Sequence, residues 1–281
     1  MTNPGVLYLV ALPIGNLEDI TFRAVRILKE ADLIAAEDTR HTLKLLSHFD
    51  IHGRTTSYHK FNHQKKCNEL IAFLKSGKKI ALVSDAGTPG ISDPGEFLVN
   101  KCIEENINII PVPGPCALIS ALISSGFSTE RFTFFGYLPV SGKERKEYLE
   151  DIKSNNNTLI LYESPHRLIK TIEDLFSVIP ERKIAIAKEI TKKFESFLRG
   201  TIPEIKKIFS ELREIRGEYV IVIENFEKNK LVFNDEDIKS ILLENGKIYS
   251  AGSLVKNISR DYNIPRNKVY KLYLELKNET E

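Results

Sequence analysis

The chain has 281 residues, with 40 Lys and Arg against 38 Asp and Glu, so its formal net charge is +2. This near-balance excludes a bulk polycation and an acidic solvating tail, and 42% hydrophobic with 28% charged residues is typical of a folded globular chain. We expect no membrane span and no signal peptide, and the three scattered cysteines predict neither a disulfide framework nor a metal site. These expectations indicate a cytoplasmic protein. The length predicts at least two domains.

Strands and helices alternate through the first part of the chain. After a first strand over 6–12, a helical pattern follows Asp19, and three more strands and four more helices succeed it. The predicted strands cover 33–36, 80–83 and 107–112, and the predicted helices cover 39–49, 62–76, 96–105 and 116–124. This order is typical of βαβ units on a parallel sheet, so 1–115 is predicted to be an α/β domain.

The second part has more strands and fewer helices. Strands are predicted over 132–137, 158–163, 184–189, 196–201 and 218–224, with helices over 143–153, 167–178 and 203–213. This indicates an α+β domain over 116–226 with a mostly antiparallel, mixed sheet. A polar linker over 226–234 then leads to three helical patterns, 235–244, 253–260 and 266–277, which predict a helix-turn-helix-like module over 230–281.

The loop over 84–95 is the strongest functional signal. It follows a strand and contains three glycines and two prolines, which make a rigid backbone that a ligand can approach closely. Asp85 is placed to accept hydrogen bonds from a ribose hydroxyl or an amino group. Asp93, followed by Pro94, is predicted to cap the next helix.

Other polar loops also follow strands, where ligands bind in parallel sheets. Asp38 and Arg40 follow the second strand, and Asp38 is either a site residue or a helix cap. In the loop over 113–117, Cys116 is interpreted as a small wall residue rather than a nucleophile. Ser164 is predicted to cap the helix after it, and the 188–192 cluster is either functional or a solvated edge.

Two segments have the charge pattern of a nucleic-acid contact. The 51–68 tract has no acidic residue and places Tyr58 and Phe61 among basic side chains, an arrangement that suits stacking and phosphate contact. The 256–277 tail carries a net charge of +4, from six basic and two acidic residues. The predicted RNA-binding residues are Arg54, Lys60, Lys65, Lys66, Arg266, Lys268 and Lys271. An exposed basic loop without a ligand remains the alternative.

Several segments together resemble the bacterial ribosomal RNA small subunit methyltransferase I family. They are the residues 12–21, 36–40, 84–95, 113–117, 136–139 and 162–167. Ala11, where relatives often have Thr, and Tyr137, where they often have Phe, are mild departures. The resemblance implies the tetrapyrrole-methylase (class III) fold, S-adenosylmethionine as the methyl donor, a cytidine 2′-hydroxyl of 16S rRNA as the acceptor, and a homodimer.

By the same resemblance, the donor would lie in the cleft between the two main domains. The matching positions are Pro13, Asp85, Ala86, Gly87, Thr88, Ile91, Ser92, Ala117, Tyr162 and Ser164. Methyl transfer needs alignment of the acceptor and a base for its proton. Asp38, Glu163 and Glu189 are the candidate bases, with Arg40 or Lys188 favouring the alkoxide.

Two other functions fit parts of the pattern. A methyltransferase of the same fold could act on a small tetrapyrrole, although such a substrate needs neither the basic tail nor the 51–68 tract. A non-catalytic RNA-binding assembly factor would leave the 84–95 loop without a purpose.

Overall fold

The computed structural model describes residues 5–226, 234–245, 251–262 and 264–280. The chain divides into two compact units, Met1–Phe226 and Glu227–Glu281. Most of the predicted linker, 227–233, lies outside the described residues.

The first sheet has five parallel strands in the order β3-β2-β4-β1-β5. They are β1 (Val6–Val10), β2 (Leu33–Ala36), β3 (Thr55–Ser57), β4 (Lys79–Val83) and β5 (Asn108–Val112). The helices that alternate with them are α1 (Phe22–Glu30), α2 (Thr39–His48), α3 (His63–Lys75), α4 (Glu96–Glu104) and α5 (Ala117–Ser125). The predicted parallel α/β architecture is therefore confirmed.

Strand β3 is an element that the sequence did not predict. It is three polar residues long and lies at the edge of the sheet, so it has no apolar run that would reveal it. The Ile34 N–H donates to the Arg54 carbonyl over 2.8 Å, and the Tyr58 N–H donates to the Ala36 carbonyl over 2.7 Å. Part of the tract interpreted as a basic loop is thus tied to the sheet.

The second sheet is mixed, in the order β6-β7-β10-β8-β9. Strands β6 (Phe132–Tyr137) and β7 (Thr158–Glu163) are parallel, whereas β8 (Lys183–Lys188), β9 (Ser196–Thr201) and β10 (Tyr219–Ile223) form antiparallel pairs. Helices α6 (Gly142–Ser154), α7 (Leu168–Val178) and α8 (Ile202–Ser210) complete this half. All five residues of β10 are buried, as expected for a central strand covered on both faces.

The described residues of the unit Glu227–Glu281 form three helices, α9 (Asp235–Asn245), α10 (Ala251–Asp261) and α11 (Arg266–Thr280). They enclose a small apolar core to which each helix contributes, including Ile238, Leu254 and Val269. None of the described helices is long and apolar enough to cross a membrane.

Candidate functional site

A cleft of about 330 Å³ lies where the first sheet's strand-end loops meet the second sheet. Its volume is within the range of small-molecule sites, roughly 300–1,000 Å³. The 84–95 loop forms one wall, and Tyr137, Tyr162, Tyr219 and Val220 belong to the other. Residues from separate parts of the chain therefore converge on one site.

The 84–95 loop is held rigidly against its neighbours. Leu12 and Gly87 exchange backbone hydrogen bonds of 2.9 and 3.0 Å, and Gly87 has a φ of +73° that favours glycine. The Thr88 hydroxyl donates to the Pro115 carbonyl over 3.1 Å. These contacts fix the wall before any ligand arrives, which is the preorganisation that a binding site needs.

Asp93 does not have the role that the sequence predicted. Helix α4 is N-capped by Gly95, with no side-chain hydrogen bond, so the capping prediction is wrong. The Asp93 side chain lines the cleft instead. Burial, reinforced by the nearby charge of Glu37, raises the pKa of Asp93 to about 6. A carboxylate that gains a proton near neutral pH is suited to proton transfer.

The cleft is acidic. Its lining includes five carboxyl groups and, among the described residues that line it, no Lys, Arg or His; the five are Glu37, Asp85, Asp93, Glu163 and Glu218. Burial, followed by the charge of Asp85, raises the pKa of Glu37. Such a lining favours cationic or neutral hydroxyl-bearing ligands and disfavours phosphate.

Tyr162 joins the second sheet to the N-terminus of α5. Its hydroxyl accepts a hydrogen bond from the Leu118 N–H over 3.2 Å, and its ring makes edge contacts with Phe134 and Tyr137. Gly136 has a φ of +65°, and a Cβ there would lie 3.3 Å from the Ser92 hydroxyl oxygen. The two walls thus meet closely at this end of the cleft.

Glu163 lines the cleft, but its carboxylate is fully engaged. The Thr171 hydroxyl donates to it over 2.6 Å and the Ser164 N–H over 2.8 Å, and the Arg167 Nε lies 3.4 Å away. These partners hold the turn between β7 and α7. Helix α7 has Arg167 at its N-cap, so Ser164 is not that helix's cap as predicted.

Asp38 and Arg40 form a helix cap at the edge of the site. The Asp38 carboxylate accepts from the Arg40 N–H over 2.8 Å and from its Nη2 over 2.6 Å. The Arg40 side chain and N–H hold the pKa of Asp38 well below its usual range. The Asp38 N–H donates to Asp85 over 2.9 Å, so this cap also orients a cleft carboxylate.

Glu189 and Lys188 lie outside the lining of the cleft. Glu189 accepts from the Glu218 N–H over 2.9 Å and pairs with Lys192 over 3.0 Å. Lys192 also contacts the Glu218 carboxylate over 3.0 Å. Lys188 ends β8 and is half-buried. This network fixes the turn after β8, from which Ile190 reaches the cleft.

Eight of the ten predicted donor-binding residues line the cleft: Asp85, Ala86, Gly87, Thr88, Ile91, Ser92, Ala117 and Tyr162. Pro13 and Ser164 do not, although their neighbours Ile14 and Glu163 do. Sequence reasoning missed Glu218, Tyr219 and Val220, because they come from a strand whose apolar pattern indicates only a core. Glu37 could have been found, since it directly follows a strand beside Asp38.

The predicted RNA-binding residues fall into two groups. Arg54, Lys60 and Lys65 are exposed, whereas Lys66 pairs with Glu69. Phe61 is 94% exposed, but Tyr58 is 1% exposed and belongs to the core, so the proposed stacking by Tyr58 is wrong. In the helical unit, the side chains of Arg266, Lys268 and Lys271 are all exposed, and the Lys268 ammonium lies 2.9 Å from the Asp235 carboxylate.

Comparisons with known proteins define the class. Residues 6–206 match the family model described as Tetrapyrrole (Corrin/Porphyrin) Methylases. The fold is similar to that of diphthine synthase, with a TM-score of 0.62 at 14% identity over 79% of this chain and 90% of that one. It is also similar to uroporphyrin-III C-methyltransferase from Thermus thermophilus complexed with S-adenosylhomocysteine, with a TM-score of 0.57 at 17% identity over 78% and 97% of the chains. The fold is that of a tetrapyrrole-methylase-type methyltransferase, as the sequence predicted.

Relatives with higher identity narrow the class. Proteins named ribosomal RNA small subunit methyltransferase I are 46% identical in Synechocystis, over 97% of this chain and 98% of the relative, and 41% identical in Bacillus subtilis, over 96% and 94%. The chain therefore belongs to the ribosomal RNA small subunit methyltransferase I family. The resemblance stated from the sequence motifs is confirmed.

Proposed function

We propose that this protein transfers a methyl group from S-adenosylmethionine to the 2′-hydroxyl of a cytidine ribose in the 16S rRNA of the small ribosomal subunit. The observation that carries the proposal is the preformed acidic cleft, built by the 84–95 loop in a chain of this family. The names of the relatives support an rRNA of the small subunit as the substrate. Such a substrate also supports a cytoplasmic location.

The lining of the cleft fits S-adenosylmethionine. Ile14, Ile91 and Ala117 offer apolar surface for an adenine and a thioether chain, and Asp85 offers a carboxylate for ribose hydroxyls or an ammonium group. When bound, S-adenosylmethionine supplies an electrophilic methyl group on its sulfonium. An acidic lining attracts the sulfonium and ammonium charges of such a ligand. Helix α5 begins at the cleft, where the Leu118 N–H already donates to the Tyr162 hydroxyl and the Ala117 N–H is placed for a carboxylate.

The chain's own residues must align the acceptor and take its proton. We assign the base to Asp93, because its carboxyl group lines the cleft beside Glu37. The sequence-predicted candidates are less suited to this step. Asp38 is committed to Arg40, Glu163 to Thr171, and Glu189 to Lys192. A base with few hydrogen bonds to its charged form keeps more of its basicity.

The shape and charge of the cleft favour a single nucleotide inserted through its sugar. A volume of about 330 Å³ accommodates the donor and little more, so the target must be unpaired and turned out of any helix. The acidic lining disfavours phosphates and the carboxylate side chains of a tetrapyrrole, whereas a ribose hydroxyl is neutral. The family resemblance also supports a homodimer.

One assay separates this function from its rivals. The protein is incubated with methyl-labelled S-adenosylmethionine and, in parallel, small ribosomal subunits, naked 16S rRNA or a tetrapyrrole. We expect label in the rRNA. Label in the tetrapyrrole would indicate a small-molecule methyltransferase, and RNA binding without transfer would indicate an assembly factor.

A further inference from the structure

Helix α2 carries a row of basic side chains that leads away from the cleft. The helix contains no Asp or Glu, and four of its residues are exposed and basic. Because 40, 44 and 48 are each four residues apart, and 41 is three from 44, they share one face. We call this face the basic ridge: Arg40, His41, Lys44 and His48. The helix is about 15 Å long at ~1.5 Å per residue.

One end of the basic ridge lies at the mouth of the cleft. The His41 Nδ1 is 3.8 Å from the Asp85 Oδ2, and Asp85 lines the cleft. Arg40 is paired with Asp38, yet its side chain is 85% exposed. A chain entering the cleft at Asp85 therefore meets the ridge at once.

The other end of the ridge opens into a second groove of about 660 Å³. His48 lines this groove together with Asn16, Glu18, Thr191, Lys192 and Lys193, so one carboxylate, that of Glu18, faces the groove beside two lysines. Within it, Lys192 is neutralised by Glu189 and Glu218. The described residues offer neither Lys44 nor Lys193 an acidic partner within 4 Å, so these two ammonium groups face solvent as unneutralised charge.

An exposed aromatic ring follows the groove directly. The Phe194 side chain is 71% exposed, and the Lys193 ammonium lies 5.7 Å from the centre of its ring. The turn that carries it is fixed, since the Thr191 N–H donates to the Glu195 carboxylate over 2.5 Å and Glu189 is bound to Glu218. An apolar ring held in water beside a cation is the arrangement on which proteins stack a nucleic-acid base.

Building on the proposed function, we propose that the basic ridge and the Lys193–Phe194 turn form the track for single-stranded RNA flanking the target nucleotide. The Arg40, Lys44 and Lys193 side chains contact successive phosphates, and Phe194 stacks on an unpaired base. The track complements the cleft, because an acidic cleft repels the phosphates that the ridge attracts. The target ribose can thus enter the cleft while its backbone remains outside, on residues that all belong to the unit Met1–Phe226.

The test measures binding and turnover separately, with the full-length protein and small ribosomal subunits that carry unmethylated 16S rRNA. Lys44→Glu and Lys193→Glu are each compared with Lys153→Glu, which reverses an exposed lysine on α6. We expect the Kd for subunits to rise five- to tenfold for the two track variants and less than twofold for the control. The slope of log Kd against log salt should fall by about 0.7–0.9 for each lost contact. The affinity for S-adenosylmethionine should not change.

Phe194→Ala tests the stacking. We expect about a tenfold weaker Kd for subunits, and Phe194→Tyr should restore it because the ring is kept. Track variants that bind subunits as tightly as Lys153→Glu does would overturn the inference. This would hold even if the parent protein methylates normally, in which case the proposed function stands without the track. If the track variants bind subunits more weakly than the parent protein, but the parent itself methylates nothing, the result would support the track and contradict the proposed function. A Phe194→Ala protein that changes its oligomeric state but keeps its Kd for subunits would show a protein interface instead.

Discussion

Replacing Asp93 by Asn should slow methyl transfer and stabilise the fold at the same time. With a pKa of about 6, the Asp93 carboxyl group is about 10% ionised at pH 5 and about 90% at pH 7. If it takes the proton of the acceptor hydroxyl, the single-turnover rate should rise about tenfold over that interval and then level off. Asn cannot accept the proton, so its rate should fall by about 10²-fold or more and lose this pH dependence.

The stability change follows from the same pKa with the opposite sign. The group's pKa rises from 3.8 to about 6 on folding, so ionised Asp93 destabilises the folded state above pH 3.8. About two units at 1.36 kcal/mol each set an upper limit of about 3 kcal/mol at pH 7, and about half of that at pH 5. Urea unfolding should therefore show that Asp93→Asn is more stable than the parent, with a gain that shrinks as the pH falls.

The charged groups that face Asp93 are Glu37 and Asp85, and the Tyr137 and Tyr162 hydroxyls are its other titratable neighbours. A parent rate that stays flat from pH 5 to pH 7.5 would refute the assignment, as would an Asn variant that keeps the parent rate. Asp151→Asn, an exposed position on α6, is the control and should change neither property.

Asp38→Asn should leave the single-turnover rate within about threefold of the parent, because Asn also caps helices. A tenfold lower rate at unchanged donor affinity would indicate that Asp38, and not Asp93, is the base. Arg182→Met should lower the free energy of unfolding by about 3 kcal/mol in urea without changing the donor's Kd, since the buried guanidinium donates to the carbonyls of Glu224, Asn155 and Asn157; an unchanged urea midpoint would contradict this. A protein ending at Phe226 should bind the donor with the parent's Kd by calorimetry, and its Kd for subunits should depend less on salt. Equal salt slopes would count against phosphate contacts by the helical unit.

The alternation of apolar runs and helical faces was enough to predict both sheets except for the edge strand β3. Strands such as β1 and β4 are short, apolar and followed by glycine-rich turns, so period and punctuation locate them. The sequence did not predict strand β3, because an edge strand can be short and polar. The burial of Tyr58 was hidden for a related reason, since its neighbours in the sequence are polar and only the sheet brings it into the core.

The sequence predicted one wall of the cleft better than the other. The 84–95 loop is contiguous, and its glycines and prolines mark it. The wall formed by Tyr219 and Val220 belongs to strand β10, whose apolar sequence indicates only a core strand. Whether these residues face the cleft depends on how the second sheet lies against the first. Asp93 shows the same limit, because Asp followed by Pro is a common helix start, and only the structure shows that Gly95 is the cap and that Asp93 lines the cleft.

The position of the transferred methyl group tests the central proposal most directly. Unmethylated small subunits are treated with the protein and methyl-labelled S-adenosylmethionine, and the rRNA is digested with alkali, which cannot cleave next to a methylated 2′-oxygen. We expect the label in one alkali-resistant dinucleotide whose first nucleoside is 2′-O-methylcytidine. Label on a base, or in a ribose other than that of a cytidine, would contradict the proposed function.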